Sequence, residues 1–364
     1  MAEYFATSED KIQLVISLNF IGLAAASLIA GPLSDSYGRK NVMVFGVIVF
    51  TISCFGCLYA SNYAILLFWR LLQGVGGGIM SSVTFPMVMD SCREDEASSI
   101  LGIWNSAVSA ALTLAPLIGS FIGANFGWRA NFIVVLVLAI ITSLATIIYL
   151  EESLPAEKRV PIRFKLLARN YVTILKNKNF VYQTIICVFP YIGMIVYIAN
   201  SSLLFINHFG MSEERFGFYQ TIITCTFMLI SLFTGKIIRL LGEKKTYNYS
   251  IMVNALGAFI LLVIAVFAPH SPNLITLAMI IYTAGLVLFW VLCGAYISRI
   301  FPHLRGTSSS ILLGVRLVGI ALCVSLSGVT FNGTIMPIAI IISALVVIAL
   351  ICYQKDSKLM QRAN

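Results

Sequence analysis

Charge is what this sequence has least of. Only 11% of its 364 residues are Asp, Glu, Lys or Arg, while 59% are hydrophobic. Soluble domains carry about 25% charged residues, so the shortage excludes a water-soluble globular domain and points to a polytopic membrane protein. Histidine is almost missing: His208, His270 and His303 fall in loops or at span ends and do not gather as metal ligands. There is no catalytic triad, phosphate loop or pair of carboxylates, so neither an enzyme nor a bound cofactor is expected. No basic segment and short apolar stretch precede a cleavage site, so no signal peptide is expected. The eight cysteines form no disulfide framework, because all but Cys92 lie within or at the ends of apolar runs. Cys54 and Cys57, one turn apart in such a run, read as packing residues rather than a redox pair. One absence bears on mechanism: no Asp or Glu lies within the core of any apolar run.

Those runs dominate what is present. Each crossing of the hydrocarbon needs roughly 20 mainly apolar residues. Eleven runs of that kind centre near Gly22, Val49, Gly77, Leu112, Leu138, Met194, Thr226, Leu256, Gly285, Val318 and Ser343. They are continuous, which excludes the alternating segments of a β-barrel. The expected fold is an all-α polytopic bundle with five spans followed by six. The formal net charge of +9 is a topology signal, not a nucleic-acid footprint. With the loop at 31–40 set in the cytoplasm, the Lys and Arg collect on that side, including Arg39, Lys40, Arg93, Arg163, Lys176, Lys244, Lys245, Arg299, Arg305 and Lys355. Only Lys11, Arg129 and Arg215 fall outside, the positive-inside asymmetry that also puts the C-terminus in the cytoplasm.

Four regions are expected: an N-terminal half-bundle over 1–150, a basic linker over 151–178, a C-terminal half-bundle over 179–354 and a tail over 355–364. The linker carries seven Lys and Arg around RFKLLARNYVTIL, whose apolar residues recur at helical spacing. It is either an amphipathic helix on the inner membrane surface or a solvated tether. An internal repeat relates the halves. Gly31, Asp35, Gly38 and Lys40 share their spacing with Gly235, Arg239, Gly242 and Lys244. SSILG at 98–102 is echoed by SSILLG at 309–314. Paired half-bundles around a central cavity are an architecture that transporters use.

GPLSDSYGRK at 31–40 resembles the loop signature of the major facilitator superfamily, G-x-L-x-D-x-x-G-R-K, with every motif position satisfied. LLFWRLLQGVGGG at 66–78 is similar to the fourth-helix signature of the superfamily's drug–proton antiporter branch. ALTLAPLIGSFIG at 111–123 is a weakened form of that branch's fifth-helix signature. Ala111, Ala115 and Ser120 stand where glycines would be, while Pro116 and Gly119 remain. GWRANF and EESLP follow in order, and the chain most resembles the bicyclomycin/chloramphenicol resistance group nearly end to end. One element departs from that pattern. A single span precedes Gly31 where two precede Gly235, so the family's first helix is not seen. Either the start is misassigned or the sequence truncated, or this is a shortened member.

The residues and the resemblance together give the expected site. Gly31 and Gly38 allow tight backbone approach where a helix turns into a loop. Asp35 can face a helix N-terminus, by resemblance that of the helix starting near Gly306. Arg39 can pair with Asp90, and with Lys40 these residues are read as gating contacts. Arg70, inside a span, faces an insertion cost of about 2.5–3.5 kcal/mol and therefore needs a cavity or a partner. The resemblance gives Arg70 and Gln73 a proton-coupling role and places the coupling carboxylate on the first helix. GVGGG at 74–78 follows no strand and reads as close helix packing, not a nucleotide loop. Asn19, Trp104, Asn105, Tyr191, Tyr197, Asn200, Gln220, Trp290 and Arg316 are the cavity candidates, each also readable as packing or an interhelical hydrogen bond. Arg316 either binds an anionic substrate or pairs with Asp35. The resemblance implies a proton-coupled, monomeric drug-efflux antiporter of the bacterial inner membrane. Its expected partners are a small-molecule substrate, protons and membrane lipids, with no nucleic acid. Export of an anionic metabolite and a non-transporting sensor are the alternatives.

Overall fold

The structure is a computed structural model, and it describes residues 4–5, 9–91, 111, 114–115, 118–159, 164–301 and 305–363. Helices α1 (Glu9–Tyr37), α2 (Arg39–Leu58), α3 (Tyr63–Ser91) and α4 (Trp128–Tyr149) are followed by a short amphipathic α5 (Phe164–Lys176). Then come α6 (Lys178–Ser202), α7 (Glu213–Leu241), α8 (Glu243–Phe267), α9 (Pro272–Ile300), α10 (Arg305–Thr330) and α11 (Met336–Ala363). Among the described residues ten helices are long and apolar enough to cross a membrane. The further span expected around Leu112 lies largely outside the described residues.

Local chemistry sets several helix ends. Gly38 separates α1 from α2 with φ +93°, a conformation that only glycine adopts without strain. Asn177 accepts the Phe180 amide at 3.0 Å and starts α6. Ser212 caps α7, whose first turn carries Glu213 and Glu214 and whose last carries Arg239, as the helix dipole favours. At its far end α6 widens into a π-turn over Leu203–His208. There the buried Phe205 packs edge-on against Phe216 and Tyr219.

The chain divides into two compact units. The first comprises 1–108, 125–169 and 309–325; the second comprises 109–124, 170–308 and 326–364. In the first, α3 packs against both α1 and α2, and α2 against α4. The GVGGG run explains how α3 serves two neighbours. A methyl group on Gly74 or Gly78 would strike the α1 backbone at Asn19 or Leu23, and one on Gly76 would strike Phe50 of α2. Gly77 has ordinary clearance. Small residues replace the missing hydrophobic drive between helices in lipid by letting backbones approach.

In the second unit α8 packs on α9, and α11 packs on α6 and α8. Glycines again mark the closest crossing, with Gly257 against Tyr282 and Gly285 against Asn254. The buried Asn254 amide donates to the Tyr282 carbonyl at 2.9 Å across the same seam. Outward faces are apolar: Val137, Leu138, Ile141 and Leu144 on α4, and Leu229, Leu232 and Phe233 on α7, are exposed. That is the surface a lipid solvent requires.

Candidate functional site

The end of α1 and the start of α2 form a charged cluster in the first unit. Arg39 is nearly buried, and its guanidinium holds three groups. Nε donates to Asp90 at the end of α3, while Nη1 contacts Asp35 at 3.2 Å and Ser34 Oγ at 3.4 Å. The Arg39 amide donates to Glu152 Oε1 at 2.9 Å, and the other Glu152 oxygen meets Arg159 at 3.5 Å. One arginine thus ties together the end of α1, the end of α3 and the strand of chain leaving α4. Gly38 makes this possible beyond its dihedral angle, because a methyl group there would overlap the Glu152 carboxylate and the Arg159 guanidinium. Lys40 flanks the cluster, half-buried.

Gly31 behaves differently from the expectation of tight approach. α1 continues unbroken through it to Tyr37, and nothing lies within 4 Å of where a methyl group on it would stand. Asp35 turns to Arg39, four residues on across the Gly38 break between α1 and α2, leaving half its side chain exposed. Glu152 and Arg159 are members of the cluster that sequence reasoning did not name. EESLP marked the place, but nothing in it specified which glutamate turns inward.

A second cluster surrounds Arg70 on α3. Its Nη1 donates to Gln73 Oε1 at 2.7 Å and its Nε to the Val15 carbonyl of α1 at 3.2 Å. Gln73 is buried and donates onward to Cys54 Sγ of α2 at 3.0 Å. The Phe132 ring of α4 lies with its centroid 5.8 Å from the guanidinium. Among the described residues Arg70 therefore meets only neutral partners. Asn19 uses its amide to bond the Arg70 carbonyl at 3.0 Å, stapling α1 to α3.

The remaining cavity candidates separate. Tyr191 of α6 and Trp290 of α9 come together with ring centroids 4.8 Å apart, both half-buried. Tyr197, Asn200 and Gln220 do not line open space, being 1%, 0% and 3% exposed. Asn200 donates to Ser327 Oγ at 2.7 Å and joins α6 to α10; Gln220 donates to Ser201 and joins α7 to α6. A polar amide in an apolar helix must find a partner, and here a neighbouring helix supplies it. Arg316 lies half-buried in α10. Ala115 is exposed and Gly119 half-buried, whereas Pro116, Trp104 and Asn105 lie outside the described residues.

One acid stands at the very end of a span, beyond the apolar cores in which none is expected. α11 does not stop where the polar tail was expected but runs on to Ala363, and Asp356 within it is only 3% exposed. Its position beside Gln354 and Lys355 hid it, since a helix end cannot be told from a tail by polarity alone.

Comparison with known proteins places this arrangement. The family model described as Major Facilitator Superfamily matches residues 1–324. A bicyclomycin resistance protein homolog of Haemophilus influenzae is 22% identical over 354 residues, covering 97% of this chain and 88% of that protein. The multidrug resistance protein MdtL of Salmonella paratyphi A is 25% identical over 350 residues, covering 95% and 86%. Among solved structures, a D-xylose–proton symporter superposes with a TM-score of 0.77 at 15% identity, covering 95% of this chain and 87% of that one. The human organic anion transporter MFSD10 gives 0.64 at 20% identity, covering 94% and 82%. An all-helical multi-pass fold, the Gly38–Arg39 cluster and a family match over most of the sequence agree: the chain belongs to the Major Facilitator Superfamily.

Proposed function

We propose that this protein exports drugs or other small organic molecules from the bacterial cytoplasm in exchange for protons, and that it is a transporter rather than an enzyme. It works by alternating access, with two half-bundles over 1–150 and 179–354 rocking about a central site. The observation that carries the reading is the Arg39 cluster. A transporter of this kind needs contacts at a membrane face that hold firmly in one state and part in the other. Ion pairs that keep partial access to water meet that need, because the separated charges can rehydrate. The names of the bicyclomycin and multidrug resistance relatives support export of drug-like molecules.

The protein is taken to sit in the inner membrane as a monomer with its C-terminus in the cytoplasm, on the positive-inside distribution. α5 is taken to lie on anionic lipid, with Val172 and Leu175 exposed beside Lys176. A second reading, export of an anionic metabolite, draws on Arg70, whose described partners are neutral and whose charge an anion would balance.

Proteoliposomes holding the full chain test both readings. An imposed pH gradient should drive ethidium accumulation, with dissipation of the gradient as ethidium moves. No movement of ethidium, with gradient-driven movement of an anionic dye that Arg70→Gln abolishes, would replace the first reading by the second.

A further inference from the structure

The two copies of the repeated motif carry opposite charges. Where the first has Asp35 and Arg39, the second has Arg239 and Glu243. Lys236, Lys244 and Lys245 complete a stretch of four cations and one acid within ten residues. That stretch is the end of α7, the Gly242 turn with φ +79° and the start of α8. All four cations are exposed, and among the described residues none of them forms an ion pair. Arg239 Nε donates to the Gly235 carbonyl of its own helix at 3.3 Å.

The sequence of the second unit holds little to neutralise them. Its acids are Glu213, Glu214, Glu243 and Asp356. Glu213 and Glu214 stand at the opposite end of α7. Asp356 is buried and accepts the Gln183 amide of α6 at 2.7 Å. Glu243 alone remains at the turn.

The first repeat shows what belongs over such a turn. Above Gly38 stand the Glu152 carboxylate and the Arg159 guanidinium, in the place a methyl group would take. Glu152 also accepts the Arg39 amide at 2.9 Å, so an anion sits on the turn. Gly242 is the equivalent of Gly38, and Asp356 that of Glu152. With Asp356 turned to Gln183, no described atom lies within 4 Å of a methyl group built on Gly242. The second repeat therefore keeps the turn and gathers cations around it, with the space above it open.

Helical spacing supplies the apolar half of the site. On α7, Leu229, Phe233, Lys236 and Leu240 share one exposed face at intervals of four, three and four residues. On α8, Lys245, Tyr249, Met252, Leu256 and Phe259 share another, at intervals of four, three, four and three. Each apolar stripe leads to a lysine at the same turn. A lysine stem can follow such a stripe while its ammonium reaches headgroup level. Charge sorting across the membrane accounts for cations in a loop. It does not require them to be unpaired at the heads of two stripes.

We propose that this turn binds an anionic phospholipid. Its phosphate lies over Gly242 among Lys236, Arg239, Lys244 and Lys245, where the first repeat has the Glu152 carboxylate, and its acyl chains follow the stripes. Four or more Lys and Arg at the end of a span are the composition that recognises anionic headgroups, and arginine bonds phosphate with charge assistance. Binding is read without movement of any substrate, so the inference stands or falls apart from the transport reading.

The test uses the full chain in phosphatidylcholine nanodiscs with a trace of phosphatidylglycerol carrying a photoreactive diazirine on its headgroup. After illumination, peptide mass mapping should find adducts concentrated on the segment 236–249. Unlabelled phosphatidylglycerol should suppress them, whereas added phosphatidylcholine and the soluble headgroup glycerophosphoglycerol should not. Arg239→Gln and Lys244→Gln should each lower the yield on that segment about fivefold. Arg239→Lys and Lys244→Arg keep the charge and should retain most of it. Adducts spread evenly over the basic loops, or native yields in both glutamine variants, overturn the proposal. Competition by glycerophosphoglycerol as strong as that by the lipid also overturns it, and makes the turn a site for soluble phosphates.

Discussion

Gly31 and Gly38 hold matching places in the motif, yet their surroundings predict opposite responses to alanine. Gly38→Ala forces a side chain into a positive-φ conformation and pushes it against Glu152 and Arg159, at a cost of about 1–3 kcal/mol. Gly31→Ala enters open space within an unbroken helix and should be neutral or stabilising by up to about 1 kcal/mol. Thermal unfolding of the detergent-purified variants separates the two, and equal losses would contradict the geometry. Arg39→Ala removes the hub of the cluster. Asp90 is about a third exposed, so the expected loss is about 1–2 kcal/mol, below that for a fully buried pair. The same melts should show Asp90→Asn recovering less than half of the native margin over Arg39→Ala. At this scale the motif residues stood out by their spacing, and Arg39 does meet Asp90. Glu152 and Asp356 did not stand out. Both sit where a span gives way to polar sequence, and which side chain turns inward there depends on tertiary packing.

Helices meet through their smallest and their most polar residues, and each makes a distinct prediction. Gly74→Leu or Gly78→Leu should separate α1 from α3 and abolish the monodisperse peak in size-exclusion chromatography. Gly77→Leu, between them in sequence but facing neither backbone, should leave that peak in place. Asn200→Leu removes the tie from α6 to Ser327 and should cost about 0.6–1.7 kcal/mol, read as a lowered melting temperature. The spans themselves were readable from hydropathy, because lipid demands long apolar runs whatever the contacts between them. The cavity was less readable. Tyr197, Asn200 and Gln220 look the same in sequence whether they face water or a neighbouring helix, and burial decides for the helix. Tyr191 and Trp290 show the converse, two aromatics distant in sequence that the fold brings into contact.

At the scale of the molecule, the repeat is a matched pair in backbone and a mismatched pair in charge. The first unit closes its motif end with Arg39, Asp35, Asp90, Glu152 and Arg159; the equivalent end of the second buries Asp356 against Gln183 and Tyr247. Dissolved electrolyte distinguishes the two. Raising ionic strength from about 0.1 M to about 1 M shortens the screening length from roughly 10 Å to roughly 3 Å. A partly exposed ion cluster weakens under that change, while a dry amide-to-acid bond is indifferent to it. The destabilisation caused by Arg39→Ala should therefore shrink in concentrated salt, and that caused by Gln183→Leu should not. Each end of the repeat thus carries its own environmental sensitivity, one answering to the ions of the surrounding fluid and the other deaf to them.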